Sequence, residues 1–471
     1  MSIQTERHNS EPAVVEASRR NPSMADFWEM TRLQRKQVLL EAIQTAHAWH
    51  FERNKAYRTM LASRRAGSSS SAGELPLLLR PTAQTFKSYI DILGTPFPNE
   101  FPRPFLEWLA DQLSIELPRE RFDLFNARYP NLESFLHDIE SIYRDFGLEI
   151  LTSSGTSGRS TILVRDQDAI QKTVESFYNS FRRYFGMQVD HRVIFIMPRQ
   201  TRIAMARMAG FSLSQMGIPN DRFHFTIPFP AFPDQVRVRA GQTFKEGWRG
   251  TVERRLGFPF MNWMNEHAAS PYAVRKTVQL LRQAQAAGDK VLLFGSWIHL
   301  HAVAIELHRR GLELTLAAGS VLGSGGGFKE LYPFTTNQIT ADLARVIRTT
   351  SGEPVPLRDV YGMAEANWAA MQCVQGSYHI PPWVLAVTLD DDDRILTSSG
   401  TPGLLAFFDP VGGGDLFPAF FRTTDRVRLV NGLFASNLVR KCPCGEPGEY
   451  IEKGSIQRVD LLDEAGCAAQ I

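Results

Sequence analysis

At Gly147 the texture of the sequence changes, and that change constrains the fold more than any other feature. Before it, apolar residues recur at helical spacings. Phe27, Met30, Leu33, Val38, Ile43, Ala46 and Trp49 mark a helical stretch from Phe27 to Leu61, and Phe105, Trp108, Leu109, Leu113, Leu132, Phe135, Leu136, Ile139 and Ile142 mark another between Pro104 and Gly147. After it, short apolar runs alternate with helical segments: Glu149–Thr152, Thr161–Val164, Val193–Met197, Val291–Phe294 and Leu314–Leu322. That alternation predicts an α/β body. From Trp383 onward, strand-like pieces at Val384–Leu389, Gly403–Phe408, Val427–Val430 and Gly448–Ile451 are separated by turns. The expected layout is a disordered tail over 1–24, a helical region over 25–148 with a flexible loop at 66–74, an α/β core over 149–382 and a β-rich end over 383–471.

Composition excludes several classes of function. With 22% charged residues and a formal net charge of +2, the 471-residue chain offers no strong field to nucleic acid. No apolar stretch is long enough to span a bilayer, and Met1–Pro22 lacks the apolar centre of a secretory signal. A cytoplasmic home is expected. All four cysteines, Cys373, Cys442, Cys444 and Cys467, fall in the last quarter, which favours metal or thiol chemistry over a disulfide frame.

The strand Glu149–Thr152 runs into Ser153-Ser154-Gly155-Thr156-Ser157-Gly158-Arg159. Two glycines let backbone N–H groups curl around phosphate oxygens, the hydroxyls add donors, and Arg159 adds a fixed positive charge. The run lacks the Gly-Lys-Ser/Thr ending of a P-loop. By composition alone an ordinary Ser/Gly surface loop is the favoured reading.

Downstream come Gly325-Gly326-Gly327-Phe328-Lys329, then Asp359-Val360-Tyr361-Gly362-Met363-Ala364-Glu365, and then Thr423-Thr424-Asp425. In this order the motifs resemble those of the adenylate-forming enzyme superfamily. The resemblance is closest to the branch holding LuxE-type acyl-protein synthetases and phenylacetate–CoA ligases. It rests there on the Ser-Ser-Gly-Thr-Ser-Gly-Arg-Ser form of the loop, on His379-Ile380-Pro381-Pro382-Trp383-Val384 and on Cys442-Pro443-Cys444-Gly445. It covers the chain from about Phe51 onward and is weakest across 100–147.

The resemblance implies the large N-terminal domain of an adenylate-forming enzyme. It also implies ATP-dependent activation of a carboxylic acid, with a fatty acid as the family expectation, and transfer of the acyl group to a thiol. The 153–159 loop would hold the β- and γ-phosphates. Gly325, Gly326 and Gly327 would let the backbone lie against adenine, and Tyr361 would stack on it. Glu365 would bind Mg²⁺, Asp425 would accept from the ribose hydroxyls, and Arg458 would contact ribose or phosphate. Phe294, Gly295, Ser296 and Trp297 would line the acyl pocket. Taken singly, Tyr361 also fits a core aromatic, Glu365 an exposed helix residue and Asp425 a turn former. Lys329 either meets an anion or opens a helix. His299 and His301, two apart, fall on different helix faces and read as packing or surface residues.

Cys373, His379, Cys442 and Cys444 offer a Cys₃His set for structural Zn²⁺, a reading the resemblance supports; three reduced thiols beside a core histidine is the alternative. Cys467 matches the acyl-accepting cysteine near the C-terminus of LuxE-type proteins, which would pass the group to a reductase or carrier protein. The superfamily's small C-terminal lid domain, with its catalytic lysine, is expected to be absent. Arg159, Lys329 or a partner would then supply the charge. CoA, a carrier-protein thiol and amines remain alternative acceptors, and a degenerate nucleotide-binding partner subunit is the alternative of another class.

Overall fold

The computed structural model of the chain describes residues 22–68, 72–94, 102–153, 161–234, 247–326, 332–438 and 441–459. Its strands, in chain order, begin with β1 (Arg80–Pro81), β2 (Glu149–Thr152), β3 (Ile162–Arg165), β4 (Arg192–Pro198), β5 (Phe223–Ile227) and β6 (Val291–Gly295). Next come β7 (Leu314–Leu316), β8 (Val321–Gly325), β9 (Ile347–Thr349), β10 (Leu357–Gly362), β11 (Ala369–Gln372) and β12 (Tyr378–His379). The series ends with β13 (Leu385–Leu389), β14 (Pro402–Phe408), β15 (Phe420–Val430), β16 (Tyr450–Ile451) and β17 (Gln457–Arg458).

One large sheet runs β5-β4-β6-β8-β10-β11-β12-β16-β15-β14-β13, with β1 and β17 both on β15. From β5 to β10 all pairings are parallel; from β10 to β13 all are antiparallel. The parallel half is buried on both faces, as crossover helices require. On β6, Leu292 and Phe294 pack with Phe181, Phe195 and Met216, while Val291 and Leu293 pack with Leu281, Leu300 and Leu343 on the opposite face. The helices Gln167–Phe185 and Ala204–Gln215 cover the first face, and Ser270–Ala287, Trp297–Arg309 and Thr336–Val346 cover the second.

The sequence run Leu314–Leu322 is not one strand. Gly319, at φ +90°, turns the chain, so β7 pairs with β9 in a small separate sheet while β8 enters the large one. The stretch Phe27–Leu61 is likewise divided. Thr31 opens the helix Arg32–Arg53 with a capping box to Gln34. Asn54 leaves helical geometry at φ −93°, ψ 109°, and its side chain caps the next helix, Lys55–Ser63, by accepting from the Tyr57 N–H.

These N-terminal helices share one core with the β-rich end. Phe27, Phe105 and Phe135 are fully buried in the same cluster as Trp383, Phe407 and Phe421. A buried ion pair between Arg35 and Glu449, at 2.9 Å, ties the first helix to the residue before β16. Arg32 adds hydrogen bonds to the carbonyls of Asn431 and Gly432 at 2.6 and 2.5 Å. Start and end of the described chain are therefore fastened together around the antiparallel half.

Candidate active site

In an open parallel sheet, ligands bind beyond the carboxyl ends of the strands where strand order reverses. Here β4 is that point, with β5 on one side and β6 on the other. The last residues of β4, β6, β8 and β10, namely Pro198, Gly295, Gly325 and Gly362, all line one cleft of about 2210 Å³.

One arm of the cleft is polar. The hairpin of β2 and β3 brings Ser153 and Thr161 together: the Ser153 N–H donates to the Thr161 carbonyl at 3.1 Å, and the Thr161 N–H donates to Ser153 Oγ at 2.9 Å. Ser154, Gly155, Thr156, Ser157, Gly158 and Arg159 lie outside the described residues. Both roots of their loop are therefore fixed at the cleft. Thr161 Oγ1 also donates to Glu365 Oε1 at 3.1 Å, so the buried Glu365 carboxylate sits at the foot of that loop.

Tyr361 and Asp425 come from the two different halves of the sheet. The Tyr361 hydroxyl donates to Asp425 Oδ2 at 2.6 Å. Burial first, then the Asp425 charge, raises the Tyr361 phenol well above its usual range, so it remains a donor. The register of β15 with β17 places Arg458 opposite Asp425, with Nε 4.0 Å from Oδ1. Three residues 361, 425 and 458 thus form one group of aromatic face, carboxylate and guanidinium. Gly326 has φ +86°, a conformation that favours glycine. Gly325 answers a packing demand as well: a Cβ there would lie 2.8 Å from Phe294 Cζ, so the ring of Phe294 fills the place of the missing side chain. Gly327 and Lys329 lie outside the described residues.

The other arm is apolar. Phe181, Phe195, Met205, Met208, Met216 and Phe294 line it, with Gly295, Ser296 and Trp297 at its rim. Ser296 caps the helix Trp297–Arg309 by accepting from the His299 N–H at 3.3 Å. His299 lines the cleft, whereas His301 is buried between Tyr332 and Asp342, at 2.8 and 3.2 Å.

Beside the cleft, Cys373, His379, Cys442 and Cys444 converge, and their ligand atoms all lie within 4.8 Å of one another. Cys373 and Cys442 Sγ are 3.8 Å apart, and Cys444 Sγ is 3.4 Å from His379 Nε2. A tetrahedral zinc with Zn–S of about 2.3 Å and Zn–N of about 2.0–2.1 Å sets an S···S edge of about 3.8 Å and an S···N edge of about 3.5 Å. The donor set fits that ion. The cluster joins the loops after β11 and before β16 to β12 itself. Cys467 lies outside the described residues.

Two residues were given no role by the sequence reading. Asp359 stands two before Tyr361 on β10, hence on the same face, and that alternation was the available signal. Its carboxylate accepts from Ser324 Oγ at 2.5 Å and Tyr378 Oη at 2.8 Å, and burial raises its pKa. Arg165, the last residue of β3, is buried and donates to the carbonyls of Ala364 and Glu365 at 3.2 and 3.5 Å, which holds the turn that carries Glu365. Burial lowers its pKa to about 10, against the opposing pull of Glu365.

The family model described as "Acyl-protein synthetase, LuxE" matches residues 252–471. A long-chain-fatty-acid–luciferin-component ligase from Vibrio harveyi is 21% identical over 67% of this chain and 69% of its own length. One of the same description from Aliivibrio fischeri is 23% identical over 41% of this chain and 48% of its own. Among solved structures, an open conformation of a 2-hydroxyisobutyryl-CoA ligase in complex with 2-HIB-AMP and CoA aligns with a TM-score of 0.52 at 11% identity, covering 92% of this chain and 71% of that one. The last likeness establishes a shared fold.

Behind the site, Asp409 is fully buried, accepts from the Gly412 N–H at 2.7 Å, and is pushed up to about 7 by burial. The folded chain then keeps this proton where the unfolded carboxyl, at about 3.9, has lost it. Its contribution to stability therefore declines as pH rises from about 4 to about 7 and levels off above that. Urea unfolding of Asp409→Asn should show the variant gaining on the parent between pH 5 and pH 7.5; parallel stability profiles would refute the assignment.

Proposed function

From the match of residues 252–471 to the LuxE acyl-protein synthetase family model, we propose that the protein activates a long-chain carboxylic acid with ATP and passes the acyl group to a protein thiol. The observation that carries this reading is a single cleft with two unlike arms. One holds the loop roots, Glu365 and the Tyr361–Asp425–Arg458 group; the other is lined by phenylalanine and methionine.

On this reading Tyr361 offers its ring to the adenine, and Asp425, with Oδ2 held by Tyr361, keeps acceptor capacity for the ribose hydroxyls. Residues 153–159 hold the β- and γ-phosphates, with Ser153 at the root. Glu365 would hold Mg²⁺, and the bound ion would supply charge neutralisation for the phosphates. The acid's carboxylate oxygen attacks the α-phosphorus, the bond to the β-phosphate breaks, and pyrophosphate leaves. The apolar arm excludes water from the mixed anhydride. A thiolate then attacks the acyl carbon and AMP departs; Cys467 is the thiol we assign. Arg165 acts as a positioning residue for Glu365 through the carbonyls it holds. Arg159 and Lys329 are the cationic residues assigned to the transition state.

Pyrophosphate release measured across aliphatic and aromatic acids tests the reaction. Release should require acid and increase with aliphatic chain length. Glu365→Gln should lower it on the order of a hundredfold, the scale of removing one transition-state charge partner. After incubation with acid and ATP, intact mass should rise by one acyl group, and Cys467→Ser should abolish the increase. Nucleotide binding without release for any acid would instead favour a degenerate partner subunit.

We also propose that Cys373, His379, Cys442 and Cys444 hold structural zinc, with all four positions filled by protein so that none is left for catalysis. Metal analysis should give one zinc per chain, and a chelator should lower the unfolding temperature by several degrees. Substoichiometric zinc with no effect of chelation would leave the cluster as reduced thiols.

A further inference from the structure

Between Gly247 and Ala287 the chain runs as one long helical rod over the mouth of the apolar arm, in segments Gly247–Val252, Glu253–Gly257, Phe258–Met264, Asn265–Ala269 and Ser270–Ala287. Two of these segments are π-helical. One side of the rod belongs to the cleft: Met261, Asn262, Asn265 and Ala269 line it. A different set of residues points outward and is apolar. Val252, Leu256, Phe260 and Trp263 are 46%, 67%, 62% and 53% exposed, and the rings of Phe260 and Trp263 stack at 6.4 Å.

An exposed line of this kind on a lone convex rod fits no small ligand, because nothing encloses it. It fits a yielding apolar surface. The charge balance of the sequence selects which one: from Gly247 to Lys276 it carries Arg249, Arg254, Arg255, Arg275 and Lys276 against Glu253 and Glu266 only. Outward Trp, Phe and Leu with an excess of Arg and Lys is the composition of a helix that lies in the interface of an anionic bilayer. Scattered single apolar residues are ordinary on a surface, but four along one side of a rod that goes on to line an apolar cavity are not.

We propose that the rod 247–276 docks the protein on an anionic phospholipid surface, with Val252, Leu256, Phe260 and Trp263 entering the interface and Arg255 meeting the headgroups. Docking sets the mouth of the apolar arm at the membrane, where a long-chain acid partitions. This part of the inference rests on the proposed acid class; the docking itself does not.

Flotation of the full-length protein with phosphatidylcholine vesicles, with and without phosphatidylglycerol, tests it. The protein should float with the anionic vesicles, stay behind with the neutral ones, and detach at high salt. The triple variant Leu256→Ser/Phe260→Ser/Trp263→Ser should lose flotation while releasing pyrophosphate from a short, water-soluble acid at the parent rate. Arg255→Glu, a single surface change, should weaken flotation on its own. No flotation on either vesicle, or a triple variant that floats like the parent, would overturn the proposal. So would a concentration-dependent dimer that the triple variant loses, since the stripe would then be a contact between copies of the chain. Flotation without preference for long-chain acids would refute the substrate reading alone; preference without flotation would refute docking alone.

Discussion

The hydroxyl of Tyr361 meets the carboxylate of Asp425 at 2.6 Å, and that contact joins the two halves of the sheet at the cleft. The two residues stand on β10 and β15, which are not neighbours: β11, β12 and β16 lie between them in the sheet. Those three strands are four, two and two residues long, too short to fix a position by backbone hydrogen bonds alone. The Cys373–His379–Cys442–Cys444 cluster sits on the same stretch and draws the loops flanking β11 and β16 onto β12. Arg35 secures it from the other side through Glu449, which directly precedes β16. Much of the scaffold beyond the parallel sheet therefore serves to hold Asp425 where Tyr361 can reach it.

The parallel half contributes a different kind of constraint. Its strands end at the cleft, and of the five whose last residues line it three end in glycine: Gly295, Gly325 and Gly362. At Gly325 the reason is steric and internal, since the Phe294 ring occupies the space a side chain would need. The same ring lines the apolar arm, so one packing decision leaves open backbone toward the polar arm and an aromatic wall toward the other. Chemistry that joins a charged nucleotide to an apolar acid needs such a boundary, because water admitted there would consume the activated intermediate.

Much of this was legible in the sequence where the signal was local. Glu149–Thr152 could be read as a strand residue for residue, because its apolar run stops at a Ser/Gly segment that no strand continues. The four metal-type ligands could be listed, because cysteine and histidine are rare enough to count. Asp359 was missed although it shares a face with Tyr361, since the motif drew attention to the tyrosine and the glutamate. Arg165 could not have been found: its task is to hold carbonyls of Ala364 and Glu365, about two hundred residues away, and nothing in its own neighbourhood records that. The division of Phe27–Leu61 at Asn54 was readable in principle, because asparagine is a strong helix cap, but periodicity across the break masked it. The shared core of the helical region and the β-rich end is likewise a long-range fact, invisible to any window.

The measurement that bears most directly on the two-armed cleft is calorimetric binding of a non-hydrolysable acyl-adenylate mimic in a series of alkyl lengths. The parent should bind more tightly with each added pair of methylenes, by about tenfold at about 0.8 kcal/mol each, until the Phe and Met arm is filled. Asp425→Ala should weaken every member of the series by a similar factor, because the nucleotide end is common to all. Affinity that ignores chain length, or that is untouched by the loss of Asp425, would contradict a cleft in which one arm takes the nucleotide and the other the acid.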